Sequence, residues 1–267
     1  MEMIGVLGTG NMGRAIIGGI LEGKLVKNEQ IACFDRDKGA LNRTVKEYSV
    51  RGCENARKLI EGSTVLLLAV KPQNLNGLSP DVEGIDWNGK LVISILAGKK
   101  VKDIQEALGN CVAVVRAMPN TPCLIGKGVT GLFSSKGVSK AQKKFALEIF
   151  SSTGTAAFFE KEELIDVVTG FTGSGPAFIF VLIEALADGA VRCGIPRDRA
   201  LTFATSLVEG SASLVRETGI HPEKLKEMVM SPGGTTAEGV SILEKRGFRG
   251  IVIEAMNAAY RKTKSIH

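Results

Sequence analysis

The sequence predicts an α/β fold in two parts, and three observations carry that expectation. A short apolar strand over residues 3–7 runs directly into a Gly-x-Gly-x-x-Gly turn, Gly8 to Gly13, and an apolar helix. Runs of apolar and β-branched residues then alternate with helical patterns to about residue 160. Beyond Lys161 only helical patterns remain. The expected architecture is an N-terminal Rossmann-type dinucleotide-binding domain over 1–160, followed by an all-helical C-terminal dimerisation domain over 161–267.

The glycine turn justifies the first strand and helix. Gly8 allows the tight turn, Gly10 lets a pyrophosphate reach the backbone, and Gly13 lets the helix pack close to the strand. The helix, roughly 11–22, aims its free N–H groups at the phosphates, so Thr9, Asn11 and Met12 are expected to border the cofactor too. A second strand over 30–34 ends at Asp35-Arg36, with a helix over 37–48 after it. A short strand near 50–53 and a short helix over 55–61 follow. Residues 64–70, Thr-Val-Leu-Leu-Leu-Ala-Val, form the continuous apolar run of a parallel strand buried on both faces. The pattern repeats over 90–96 (strand), 101–108 (helix) and 111–116 (strand). Segments 129–133, 139–150 and 155–159 complete the alternation, and right-handed crossovers would make the core sheet parallel.

In the second half, Gly173-Ser174-Gly175-Pro176 reads as a helix start with an N-cap serine and an early proline. The helix over 177–193 is apolar on most faces and must be buried on nearly all sides. A domain of this size offers little to bury it against, which points to another subunit. Further helices are expected over 196–218, 222–230, 236–245 and 251–264.

The chain has 267 residues, a net charge of +6 and 5% aromatics. Its lysines and arginines are dispersed, so a nucleic-acid partner is not expected. The five cysteines are scattered with no Cys-x-x-Cys, the usage of a reducing compartment, and Cys33, Cys111 and Cys193 read as small core residues. No basic leader is seen at the start, and the longest apolar run, 177–183, stops at Glu184, too short to span a membrane. A cytoplasmic protein is expected. The only histidines are His221 and His267. A histidine metal site or a Ser-His-Asp triad is therefore not expected, and no metal is.

Three constellations carry chemistry. At the end of the second strand, Asp35 stands where an acidic residue binds the ribose 2′-hydroxyl of NAD, while Arg36 suits adenine or a 2′-phosphate. NADH and NADPH thus both stay open. The strand ends at Ala69-Val70-Lys71-Pro72, at Ala97 and at Asn120 occupy the ligand-binding edge of such a sheet. The third is Ser231-Pro232-Gly233-Gly234-Thr235-Thr236-Ala237-Glu238. Thr235 and Glu238 fit a capping box. Gly233 and Gly234 equally fit a loop whose N–H groups converge on a carboxylate.

The chain resembles the Δ1-pyrroline-5-carboxylate reductases from end to end. The resemblance rests on the 8–13 loop, AVKP at 69–72, RAMPNTP at 116–122, GSGPAF at 173–178 and, above all, HPEKLKEMVMSPGGTTAEGV at 221–240. It implies reduction of 1-pyrroline-5-carboxylate to L-proline by hydride from NADPH or NADH, the last step of proline biosynthesis. It implies a substrate carboxylate held by Ser231, Gly233, Gly234, Thr235 and Thr236, with Thr236 as the catalytic contact to the ring nitrogen. It also implies cofactor contacts from Asn55 and Lys71, an approach of Glu162 to the substrate nitrogen, and a structural role for His221. Family members are intertwined homodimers, some assembled further, whose active site joins one subunit's nucleotide domain to its partner's helical domain. Two other readings use the same fold: a β-hydroxyacid-dehydrogenase-like oxidoreductase, which lacks its expected lysine after Gly173, and a non-catalytic dinucleotide-binding sensor.

Overall fold

The computed structural model describes residues 2–109 and 112–264. It divides into two compact units, one of residues 1–173 with 259–267 and one of residues 174–258. Residues 161–173 group by contacts with the sheet-bearing unit. Arg116 ties Asp166 into the first unit at 2.6 Å, Thr263 donates to the Asp166 carbonyl, and Gly170 sits so close to Tyr260 that a Cβ would lie 2.7 Å from its backbone.

The first unit is built on an eight-stranded sheet. Its strands are β1 (Ile4–Leu7), β2 (Ile31–Phe34), β3 (Arg51–Gly52), β4 (Val65–Leu68), β5 (Leu91–Ser94), β6 (Ala113–Met118), β7 (Gly128–Ser134) and β8 (Gly154–Phe158), in the order β3-β2-β1-β4-β5-β6-β7-β8. The first six follow the doubly wound dinucleotide-binding order. β1 lies between β2 and β4, with Ile4 opposite Ile31 on one side and Val65 on the other. One expectation needs correcting: β7 runs antiparallel to β6, so the sheet is mixed. The connection over 119–127 is too short for a parallel crossover, which takes about a dozen residues or more.

Both faces of the sheet are covered. On one face α1 (Asn11–Glu22), α2 (Lys38–Tyr48) and α6 (Lys140–Ser151) pack on Val6, Ile31, Cys33, Leu67 and Ile93. On the other, α3 (Ala56–Glu61), α4 (Ser79–Val82) and α5 (Val101–Leu108) pack on Leu7, Leu66, Leu68 and Val92. Neighbouring residues of one strand thus face different cores, which is why these strands read as unbroken apolar runs. The sheet is followed by α7 (Glu163–Val168) and a five-residue π turn, Thr169–Gly173.

The second unit contains α8 (Gly175–Arg192), α9 (Arg197–Thr218), α10 (Pro222–Met228), α11 (Thr235–Lys245) and the start of α12 (Phe248–Lys264). Its fully buried apolar residues are Ala187, Ala200 and Ala204, where α8 meets α9. Phe180, Phe203 and Leu207 remain about 60% exposed. Three sequence expectations change here. Ser174 is already in helical geometry and caps nothing with its side chain, because the π turn leads almost directly into α8. Cys193 is exposed at the end of α8 rather than in a core, whereas Cys33 is buried and Cys111 lies outside the described residues. The helical stretch Glu163–Arg192 is long and apolar enough to cross a membrane, with only 6% of its most apolar 18-residue window buried within the chain, so the short-run argument against a span does not hold.

Candidate active site

The glycine loop is held from below by an acid. Gly8 has φ +104, and a Cβ on it would come within 2.5 Å of the Ala69 carbonyl. Its N–H donates to the Phe34 carbonyl, so β1, β2 and β4 meet at this turn. A Cβ on Gly13 would lie 2.3 Å from the Gly8 carbonyl, so α1 packs tightly over the end of β1. A Cβ on Gly10 would meet nothing within 4 Å, which leaves open space above the loop. Thr9 is buried, and its N–H and hydroxyl both donate to Asp35 Oδ2, at 2.7 and 3.1 Å. Asp35 Oδ1 accepts from the Asp37 N–H at 2.9 Å.

A cleft of about 280 Å³ opens above this loop. Gly8, Gly10, Asp35, Arg36, Ala69, Val70 and Lys71 all line it, so three separate sequence motifs converge there. Asn11 and Met12 open α1 beside it. Asn74 and Asp81 also line the cleft and carried no sequence signal, because the 3-10 turns after Pro72 that bring them there have no periodicity to read. The fit to a dinucleotide is good. The space over Gly10 admits a pyrophosphate, the N-terminus of α1 offers N–H groups and a positive dipole end, and Lys71 adds a cation.

Other expected cofactor residues lie outside that cleft lining. Asn55 caps α3, its Oδ1 accepting from the Lys58 N–H at 2.8 Å. Asn120 is buried and spends its amide on structure: it donates to the Thr172 carbonyl and accepts from the Val129 N–H. Ala97 lies just past β5, and Pro72 starts a 3-10 turn.

Glu162 sits in a buried charge cluster. Its Oε1 accepts from the Val101 N–H at 2.7 Å and lies 3.4 Å from Arg116 Nη1. Arg116, 2% exposed in β6, also binds Asp166 at 2.6 Å. Sequence reading passed over Arg116, although an arginine inside the apolar run Val114-Val115-Arg116-Ala117 was the available signal.

The loop before α11 belongs to the second unit. Gly233 has φ +69, and the Gly234 N–H closes a turn onto the Ser231 carbonyl at 3.0 Å. A Cβ on Gly234 would lie 2.3 Å from Ser231 Oγ. The capping box does not form. Gly234 is the N-cap, without a side-chain cap, and Thr235 is already the first helical residue. The N–H groups of Thr235 and Thr236 thus occupy the first turn, where they lack intrahelical partners. Thr236 is half-buried beside them. His221 caps α10, its Nδ1 accepting from the Glu223 N–H. No cluster of three or more metal-binding side chains exists among the described residues.

Residues 162–266 match the family model described as pyrroline-5-carboxylate reductase dimerisation, and residues 3–98 match one described as NADP oxidoreductase, coenzyme F420-dependent. The pyrroline-5-carboxylate reductase of Synechocystis is 42% identical over 98% of this chain and 97% of its own length. That of Escherichia coli is 38% identical, with 99% and 98% covered. The chain belongs to the pyrroline-5-carboxylate reductase family. The Coxiella burnetii reductase superposes with a TM-score of 0.92 at 31% identity, covering 99% of this chain and 98% of that one. A Plasmodium falciparum pyrroline carboxylate reductase solved with NADP bound gives 0.85 at 32%, with the same coverage.

Membership makes the chain an NAD(P)H-dependent oxidoreductase and sets aside the β-hydroxyacid-dehydrogenase-like and sensor readings. It also explains the bare apolar helices. The family's dimerisation region, residues 162–266, contains the whole of Glu163–Arg192, and a second subunit can cover those faces.

Proposed function

We propose that this chain reduces 1-pyrroline-5-carboxylate to L-proline, with the Ser231–Thr236 loop as the carboxylate and ring-nitrogen site. The observation that carries the reading is the turn of two glycines that opens α11 with no side-chain cap. The N–H groups it leaves free suit a small carboxylate, and the helix dipole favours that charge. Thr236 Oγ1 then accepts from the ring N–H once the imine is protonated, which holds the substrate carbon in one orientation. Bound NADPH or NADH supplies the hydride. A protonated imine accepts it without a metal or histidine, in keeping with a chain whose His221 is spent on capping α10. Gly8 to Gly13 and Lys71 hold the phosphates, and Asp35 faces the ribose. Main-chain groups of Ala97 and Asn120 border the nicotinamide, and Asn55 contacts the cofactor through its remaining amide N–H groups. Glu162 lies close to the substrate nitrogen and is oriented by Arg116.

The reading includes a minimal homodimer in which the loop of one subunit completes the nucleotide cradle of the other, with assembly into rings of dimers as an extension. It places the protein in the cytoplasm, away from nucleic acid and membranes, supported by its scattered thiols and dispersed charge. The test follows loss of nicotinamide absorbance with 1-pyrroline-5-carboxylate. Thr236→Ala is expected to lower kcat/KM about 10- to 100-fold, the effect of losing one hydrogen bond to a charged group. Unchanged kinetics would remove Thr236 from the site, and no turnover by the parent protein would overturn the function.

A further inference from the structure

We infer that this chain selects NADH over NADPH and that Asp35 makes the selection. The inference rests on the cofactor cradle proposed above, not on which imine is reduced.

What decides the preference is how firmly the carboxylate is held. Asp35 stands at the end of β2, lines the cleft and is half-buried. In doubly wound folds this position faces the adenine ribose, where a carboxylate accepts from the 2′-hydroxyl. A carboxylate free to rotate could turn away from a 2′-phosphate. Asp35 has no such freedom, because Thr9 N–H, Thr9 Oγ1 and Asp37 N–H grip both of its oxygens. Swinging it out would break all three bonds and loosen the loop that cradles the pyrophosphate. A bound 2′-phosphate must therefore sit beside a fixed negative charge.

The opposing candidate is Arg36. It is exposed, and its guanidinium reaches the Gly77 carbonyl at 3.3 Å. An exposed, solvated cation attracts a phosphate through screened water, whereas the half-buried carboxylate is screened less. Asp81 lines the same cleft and adds a second carboxylate, and Lys71 is the other cation there. The pinned charge at the ribose position decides the sign.

The experiment measures dissociation constants of NADH and NADPH by calorimetry, without substrate, for the parent protein, D35N and R36A. D35N removes the charge and keeps an oxygen that accepts from Thr9. D35S serves as a second charge-free variant, and equal melting temperatures show that the loop survives. The parent is expected to bind NADH at least about tenfold more tightly than NADPH, the scale of an unfavourable like-charge contact. D35N should bring the two within about threefold, mainly by tightening NADPH, and R36A should leave the preference standing. Added salt should narrow the parent's preference and leave that of D35N alone. Equal or tighter binding of NADPH by the parent overturns the inference, as does a preference that survives in both D35N and D35S. Failure to bind either dinucleotide would instead overturn the cradle, and failure to reduce the imine with binding intact would overturn only the proposed reaction.

Discussion

The two units solve the burial problem in opposite ways. The first closes on itself: its strands feed two cores, one on each face of the sheet, and large side chains such as Phe150, Ile16 and Leu67 are fully buried. The second buries three alanines and leaves Phe180, Phe203, Leu207, Ile242 and Ile253 in the open. Both units are rich in apolar residues, so composition does not separate them. What separates them is where the partner surface lies, in the same chain for the sheet and in another chain for the helices. An exposed apolar area of this extent marks an interaction face, and the family's dimerisation region coincides with it.

A charge placed on that face should have the largest effect. Phe203→Glu on α9 should convert the dimer to monomer in light scattering and abolish turnover, because aromatic anchors of an interface carry about 2 kcal/mol or more each. The first unit should still bind a dinucleotide, since its cores are its own. A Phe203→Glu protein that stays dimeric at full activity would place the interface elsewhere.

The next largest effect belongs to the first unit's buried charge. Arg116 holds Glu162 and Asp166 inside the fold. Arg116→Met fills the space but withdraws the guanidinium from both carboxylates, and breaking such a buried pair costs about 3–5 kcal/mol. Urea unfolding should show that loss as a lower midpoint. A cost near that of a surface pair would mean that water reaches the cluster and that it does not anchor α7 to the sheet.

How far the sequence could be read follows the same divide. The first unit was legible wherever one local rule sufficed. The glycine loop, the centre of the apolar run at 64–70 (β4, Val65–Leu68) and the ends of α5 agree with the structure because strand burial and turn chemistry are set by near neighbours. The antiparallel β7 was not, because direction depends on a connection whose 3-10 turn has no clear pattern. In the second unit the apolar helices were legible, but their details were not. Ser174 and Thr235 looked like caps because serine and threonine usually are. The π turn removed the need for the first, and Gly234 took the place of the second. Of the cleft, the glycine loop, Asp35-Arg36 and residues 69–71 were visible as motifs, whereas Asn74 and Asp81 were not. The grip of Thr9 on Asp35 and the tie from Arg116 to Glu162 were not, since those partners lie 26 and 46 positions apart.

The smallest effect is expected at an exposed charge cluster of the second unit. Arg249 also meets two carboxylates, Glu244 at 2.9 Å and Glu223 at 3.4 Å, but on the open surface of the second unit. Exposed pairs gain little, since water and salt screen them and long side chains lose freedom. Arg249→Ala should therefore leave the melting temperature unchanged within error, in contrast to Arg116→Met. The sign of any residual effect is fixed. Hydrogen bonding to Lys226, with help from Arg249, lowers the pKa of Glu223 in the folded chain. Whatever that contributes is present at neutral pH and disappears as the pH falls through the carboxylate range. A large loss in Arg249→Ala at neutral pH would mean that the cluster is dry in the working molecule. Since it is exposed in the single chain, only the second subunit could dry it, and the dimer interface would then take in this charged cluster as well as the apolar face.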